Sequence, residues 1–393
     1  MRLLYIHTSL GKGGITTVII NRLNYLIEHT NWEIYFLSET KNNQELENKL
    51  NKKIKLINLD IQPVFNENLI YFYKKHLRLF KKIKIDLKHI ISDINPDIIT
   101  CFTHGFSVKI LPAIKSNSLK IVEFHMPYNR KHISLAYRNS NNFQLIKNNL
   151  KSKLLPFNLF LPNYRKTYNQ YDYGISLTQG DLIGRSYLKI KQKQFYNPID
   201  FPLNTVDFKE RDNIILGVGR LTLQKNFNDL IEAINLIKNE IGNWKVHIYG
   251  EGELKPDLIH KIEKYELEDI IIIKKFTTNI SKVYNNAKLL ISTAIFEGQS
   301  MCILEALSYN IPVISYNCNF GPNEMIRNNV NGFLIDFDPK SLAIKISKLL
   351  NDEHLLNSFS ENAKDNLKHF SNENILNDWI KFYSEIVNKK INA

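Results

Sequence analysis

The sequence predicts an α/β fold built as two successive domains with parallel sheets. Three observations carry this. The chain has 393 residues, long for a single core. Strand-like apolar runs alternate with helical patterns almost from end to end. The series of strands also starts afresh near residue 213. In the first half, the strand Leu3–His7 leads into a helix from near Thr16, with Val18, Ile19, Leu23, Leu26 and Ile27 at helical spacing. Glu33–Ser38, Asp97–Phe102, Lys120–Phe124 and Gly174–Leu177 read as further strands. In the second half, Asn213–Val218, Lys245–Tyr249, Ile270–Lys274, Leu289–Ser292 and Val313–Ser315 repeat the pattern. Residues 41–95 and 126–170 carry no clear periodicity. Pro198 and Pro202 disfavour helix and mark an extended linker over Tyr196–Pro202. The division is therefore a Rossmann-like domain over 1–200, a second over 201–373, and a terminal helix within 374–393. That helix carries Ile375, Trp379, Phe382, Tyr383 and Ile386 on one face.

Composition narrows the class. At 44% hydrophobic and 23% charged residues, the chain is globular. No apolar run reaches the length that spans a bilayer. The first residues read as a strand rather than a secretory leader, and the cysteine pattern fits a reducing cytoplasm. Cys101, Cys302 and Cys318 show neither metal-ligand nor disulfide spacing. The net charge of +13 is unevenly spread. Residues 1–200 hold 30 Lys and Arg against 14 Asp and Glu, a net +16; residues 201–393 hold 22 against 25, a net −3. A one-sided positive field suits an anionic partner, although a solvated lysine-rich surface gives the same count. No zinc, RRM or KH signature accompanies it, so nucleic acid is not the expected partner. Residues 71–88 concentrate the charge in Lys74, Lys75, Arg78, Lys81, Lys82, Lys84 and Lys88, interleaved with Tyr71, Phe72, Leu77, Phe80, Ile83 and Leu87. A helix of this kind rests its apolar side on protein or on an anionic membrane surface.

Two glutamates eight positions apart carry the most chemistry. Glu297 lies in the loop after the strand Leu289–Ser292, and Glu305 lies in the short helix that follows, along the stripe Ile303, Leu304, Leu307. Helical rise puts the two carboxylates roughly 10–12 Å apart, about the length of a sugar diphosphate. Each can accept hydrogen bonds from a vicinal diol. A second motif runs from Gly217 to Phe227, between a strand and a helix. Its two cations, Arg220 and Lys225, are placed to reach a diphosphate. A glycine loop with Gly13 and Gly14 follows the first strand, but it is neither a P-loop nor a full dinucleotide fingerprint. His125 ends a strand in the usual ligand zone of a parallel sheet, with His104 as a rival. Glu324, after Gly321-Pro322, reads as a helix-start residue. Asp336-Phe337-Asp338 precedes Pro339 and reads as a turn rather than a metal site. Neither a Ser-His-Asp order nor a glycosidase carboxylate pair is visible.

These motifs resemble those of the retaining glycosyltransferases of family 4, which have the GT-B fold. The residues that carry the likeness are Glu297-Gly298 with Leu304-Glu305-Ala306, the following Ile311-Pro312-Val313-Ile314-Ser315, Gly219-Arg220-Leu221 with Lys225-Asn226, and Asn197-Pro198-Ile199-Asp200. The resemblance implies two Rossmann-like domains about a cleft, with the terminal helix crossing back to the first. It implies that Glu305 holds the nucleotide ribose, that Glu297 and His125 contact the donor sugar, and that Arg220 and Lys225 bind the diphosphate. Gly13 and Gly14 would close over the phosphates, while Gly298, Gln299, Ser300 and Met301 line the donor. The stretch Gln299–Cys302 departs from the usual glycine- and proline-containing version, which leaves the donor sugar open. The implied reaction moves a hexose or N-acetylhexosamine from a nucleotide-sugar, UDP-linked, to a cell-surface glycan or a lipid-linked acceptor. It needs neither metal nor cofactor, and it takes place in the cytoplasm or on the inner face of the cell membrane. A GT-B sugar phosphorylase, which uses inorganic phosphate, is the alternative; a basic nucleic-acid-binding protein is less favoured.

Overall fold

The computed structural model describes residues 1–11, 13–62, 69–103, 105–125, 164–277, 279–318, 321–365 and 367–392. The rival His104, and Lys12 of the glycine loop, lie outside them. Those described residues that fall within Met1–Met126, Lys151–Pro198 and Glu373–Ala393 form one compact unit, and those within Ile199–Asn372 form another.

The first unit holds a seven-stranded sheet in the order β3-β2-β1-β4-β5-β6-β7. Its strands are β1 (Arg2–His7), β2 (Glu33–Ser38), β3 (Lys55–Asn58), β4 (Ile98–Phe102), β5 (Leu119–Phe124), β6 (Tyr173–Ser176) and β7 (Lys191–Gln194). The second unit holds a six-stranded sheet, β10-β9-β8-β11-β12-β13. These are β8 (Ile214–Val218), β9 (Lys245–Tyr249), β10 (Ile271–Lys274), β11 (Leu289–Ser292), β12 (Val313–Tyr316) and β13 (Gly332–Ile335). Both sheets are parallel throughout. In each, the strand order reverses once, at β1/β4 and at β8/β11. Ligands of doubly wound sheets bind beside such reversals, at the carboxyl ends of the strands. The loops after β1, β8 and β11 carry Gly13, Lys225 and Glu297.

The central strands follow the apolar runs to within a residue or two. β3, β7 and β13 are absent from the sequence reading, and all three lie at sheet edges. β7 reads Lys-Gln-Lys-Gln, with alternating exposed and half-buried side chains. An edge strand needs only one paired side, and charge on it discourages pairing with other chains. The terminal helix spans Asn372–Ile391, longer than its pattern suggested. Its Ile375, Leu376, Trp379, Phe382, Tyr383 and Ile386 are buried in one core with Leu3, Tyr5, Phe36 and Phe102 of the first sheet.

The unclear stretch 41–95 contains a 26-residue helix, Leu69–Ile94. Ile83, Leu87, Ile91 and Ile94 are buried in the core of the first unit, and Phe80 packs against it. The apolar stripe therefore rests on protein. Arg78, Lys81, Lys82, Lys84 and Lys88 face solvent, with Leu77 and Ile85 exposed among them. The side chains of Tyr71, Phe72, Lys74 and Lys75 lie outside the described residues. Among the described residues, no helix is long and apolar enough to cross a membrane.

Candidate active site

In the second unit, the loop after β8 is shaped by glycines. A Cβ on Gly217 would stand 2.8 Å from the Phe227 ring, so glycine lets the helix Phe227–Leu236 seat on the strand. The loop after β9 presses on the same segment. A Cβ on Gly250 would lie 1.9 Å from the Gly219 carbonyl oxygen, and one on Gly252 would lie 2.3 Å from that of Leu221. Backbone bonds from Gly219 N to Tyr249 O and from Leu221 N to Glu251 O, each 3.0 Å, fix the approach. Gly250 and Gly252 were missed in the sequence, where Gly-x-Gly directly after a strand was the available signal. Arg220 projects from this segment. Its side chain is exposed and makes no ion pair among the described residues.

Lys225 closes the loop against the one after β11. Ile295 N donates to Gln224 O at 2.9 Å, Gln224 Nε2 to Phe296 O at 3.1 Å, and Thr293 Oγ1 to Lys225 O at 2.9 Å. With the backbones held, Lys225 Nζ forms an ion pair with Glu297 Oε1. Their side chains are 18% and 10% exposed. Burial by itself lowers the ammonium's proton affinity, but the Glu297 carboxylate outweighs it, and Lys225 stays protonated above the ordinary lysine range.

Glu305 sits on the helix Met301–Ser308, whose Ile303, Leu304, Ala306 and Leu307 are buried. The fully buried Tyr284 donates its hydroxyl to Glu305 Oε2 at 2.8 Å. Burial pushes the Glu305 acid up to about 7, against the pull of that hydrogen bond and of Lys225. Tyr284 was not foreseen; its spacing, 21 residues before Glu305, gives no local signal. Between the two glutamates, Gln299 and Ser300 are buried, Gly298 and Met301 are half-buried, and Ser300 Oγ lies 3.3 Å from Cys302 Sγ. Burial raises the Cys302 thiol, while Lys225 pulls it down. Gly321 has φ +95°, and a Cβ there would come within 1.8 Å of the Gly298 carbonyl, so the Gly-Pro turn braces the loop that carries Gly298. Glu324 lies in the short helix that follows, Pro322–Met325. Asp338 caps the helix Pro339–Asn351, accepting from Ser341 N at 2.8 Å and Ser341 Oγ at 2.9 Å. Among the described residues, no group of three or more His, Cys, Asp or Glu is placed to hold a metal ion.

In the first unit, a Cβ on Gly13 would meet nothing within 4 Å, so packing does not require glycine there. Gly14 begins the helix Gly14–His29. His125 follows β5 and is buried. Its Nε2 lies 3.0 Å from Glu123 Oε2, and Arg22 Nη1 donates to Glu123 Oε1 at 2.6 Å. The Arg22 guanidinium stacks 4.0 Å from the centre of the Trp379 ring. Burial tends to raise the Glu123 acid, but Arg22 and His125 together hold it below the usual range. Arg22 and Glu123 were also missed. Their signal was a charge inside an apolar helix stripe and another inside the strand Ile121-Val122-Glu123-Phe124.

Residues 203–366 match the family model described as Glycosyl transferases group 1. The match lies within the second unit. It contains Arg220, Lys225, Glu297 and Glu305. The amylovoran biosynthesis glycosyltransferase AmsD of Erwinia amylovora is 34% identical over 180 residues, 45% of this chain and 50% of that protein. The poly(ribitol-phosphate) alpha-N-acetylglucosaminyltransferase of Staphylococcus aureus is 32% identical over 177 residues, 44% of this chain and 36% of that protein. The chain thus spans half or less of the length of these relatives. The crystal structure of Anabaena Alr3699/HepE with UDP and glucose superimposes with a TM-score of 0.74 at 17% identity, covering 98% of this chain and 99% of the other. That likeness runs through both units and shows the GT-B fold that the motifs implied.

Proposed function

We propose that this protein transfers a hexose or N-acetylhexosamine from a UDP-linked donor to a surface glycan or lipid-linked acceptor, with retention at the anomeric carbon. The observation that carries the reading is the Lys225–Glu297 pair with Glu305 at the carboxyl end of the second sheet, inside the group 1 segment. An ammonium has three donors, and one satisfies Glu297; the others face a diphosphate. Arg220, exposed and without an ion-pair partner among the described residues, supplies a second cation. Together they offset the charge that gathers on the departing nucleotide. Glu305 spends Oε2 on Tyr284 and keeps Oε1 for a ribose hydroxyl. Glu297, oriented by Lys225, and the loop Gly298–Met301 meet the sugar. The acceptor hydroxyl attacks from the face the nucleotide leaves.

Two relatives support the acceptor class by name: one is an amylovoran biosynthesis enzyme and the other acts on poly(ribitol-phosphate). The cations replace a metal in this reading, so turnover persists in EDTA. A thermal-shift screen over nucleotide-sugars tests the proposal directly. Stabilisation by UDP and by one UDP-sugar, followed by UDP release on adding acceptor, is the expected result. Stabilisation by inorganic phosphate with sugar, and not by UDP, would move the assignment to a phosphorylase.

A further inference from the structure

Residues 201–393 are net negative, yet cations gather at the amino end of the second sheet, the opposite end from Lys225 and Glu297. A hollow of about 610 Å³ there is lined by Arg211, Asp212 and Asn213 before β8, by Lys245 and His247 on β9, and by Lys288 before β11. That is the size of a small-ligand site. Arg211 is 4% exposed. Its Nε and Nη2 donate to Val206 O at 3.2 and 2.9 Å, and its Nη1 donates to Ala287 O at 3.3 Å. Lys245 Nζ donates to Asp269 O at 2.7 Å, and Lys288 Nζ donates to Asn213 Oδ1 at 2.9 Å. Each of these acceptors is a neutral oxygen. Among the described residues, none of the three cations forms an ion pair.

Buried charge is ordinarily paired, because carbonyl dipoles offset only part of the lost hydration. Burial lowers the Arg211 guanidinium to about 10, against the pull of Asp207. Burial and the nearby Arg211 lower the Lys364 ammonium as well. The bonds to Val206 and Ala287 explain how Arg211 is held, and they leave its charge uncompensated. Three fixed positive charges line the hollow against one carboxylate, Asp212, a surplus of two. A phosphate monoester, close to a dianion at neutral pH, cancels that surplus, whereas a carboxylate cancels half of it. Donors are also to spare: a guanidinium has five N–H groups and an ammonium three, more than the carbonyl and amide oxygens take up. We infer that this hollow holds the phosphate group of a small phosphorylated ligand, with Arg211, Lys245 and Lys288 as its cations and His247 as a further donor. The five-residue strand β8, roughly 16 Å long, separates it from the loop of Arg220 and Lys225. One diphosphate cannot reach both places, and the site does not depend on the transferase reading.

His247 reports on the hollow from within. Burial and Lys274 hold its ring below the ordinary range, while Asp212 pulls the other way. The experiment is NMR of histidine-labelled full-length protein, with His247→Gln assigning the signal. Reading the site at His247 separates it from phosphate drawn to Arg220 and Lys225. Inorganic phosphate is expected to shift the His247 signal to saturation and to raise the ring's titration midpoint, because a bound anion favours the imidazolium. Sodium chloride at the same ionic strength is expected to leave both in place. Glucose 6-phosphate separates the two sources of the group. Binding about tenfold tighter than inorganic phosphate marks a phosphosugar, and equal or weaker binding marks phosphate itself. Lys245→Gln combined with Lys288→Gln is expected to weaken phosphate binding by about tenfold to a hundredfold, the loss of charge-assisted hydrogen bonds.

A His247 signal that does not saturate with either phosphate compound overturns the site. An equal shift with chloride overturns it too, since the cluster then answers only to ionic strength. So does phosphate binding unchanged in the double lysine variant. Arg211→Lys keeps the charge but loses the planar fork, and it is expected to weaken phosphate binding by about tenfold. Unchanged binding there removes Arg211 from the site. Should Arg211→Lys fail to fold, the double lysine variant decides alone, because Lys245 is exposed and Lys288 half-buried.

Discussion

Lys225–Glu297 in the second unit and Arg22–Glu123 in the first are both ion pairs beside the carboxyl end of a parallel strand, and they differ in exposure and in the cation used. The first pair is 18% and 10% exposed, joined by a flexible ammonium with donors to spare. The second is 1% and 0% exposed, with a planar guanidinium wedged between a carboxylate and an indole. A lysine at a loop tip can share its charge with an incoming phosphate. A buried arginine cannot leave its partner, because both charges would be stranded in a medium that solvates neither. An ion pair with donors to spare can engage a ligand, whereas one buried on both sides is a fixed support.

The largest test of this contrast is on stability. Arg22→Ala strands Glu123 and is expected to cost about 3–5 kcal/mol in urea unfolding of the whole chain. Lys225→Ala leaves Glu297 within reach of water and is expected to cost less than half of that. Equal losses would erase the distinction. The second test is on turnover. Lys225→Ala, and separately Arg220→Ala, are expected to lower donor turnover by about 100-fold or more, on the order of one lost charge-stabilising donor. Near-wild-type rates in either folded variant would remove it from the diphosphate site.

The third test uses pH. Glu305 is held at about 7 when no ligand is bound. If Glu305 holds the ribose as proposed, the hydroxyl donates to its ionised form, and UDP affinity is expected to fall as pH drops through about 7, approaching tenfold per unit. Stability runs the other way. The folded state keeps this proton between the ordinary 4.5 and about 7, so Glu305 makes the fold less stable as pH rises through that window. A UDP affinity that is flat across pH 7 in isothermal titration would exclude Glu305 from the ribose contact. The smallest effect concerns the basic face of the first unit. Reversing Lys81, Lys82 and Lys84 to Glu is expected to weaken sedimentation with anionic vesicles by about 1 kcal/mol per residue, most visibly at low salt. No vesicle binding by the wild type at low salt would leave those lysines as solvated charge.

Local patterns in the sequence determined much of this protein. Period-two and buried apolar runs located the central strands, because a strand inside a parallel sheet is buried on both faces and must be apolar throughout. The 3.6-residue period of Ile375, Trp379, Phe382, Tyr383 and Ile386 located the closing helix. Glu297, Glu305, Arg220 and Lys225 stood out as candidates because loop glycines and neighbouring strands give those positions a local signature. Tertiary structure alone decided the rest. Edge strands β3 and β7 obey weaker burial rules, and only their neighbours reveal them. Whether the stripe Ile83, Leu87, Ile91 met protein or lipid depended on the core it faced. Arg22 reaches Glu123 across 101 residues, and Tyr284 reaches Glu305 across 21. Such pairs are set by which strands become neighbours in the sheet and by which polar groups are buried with no other partner, and neither fact is written in the spacing of the residues themselves.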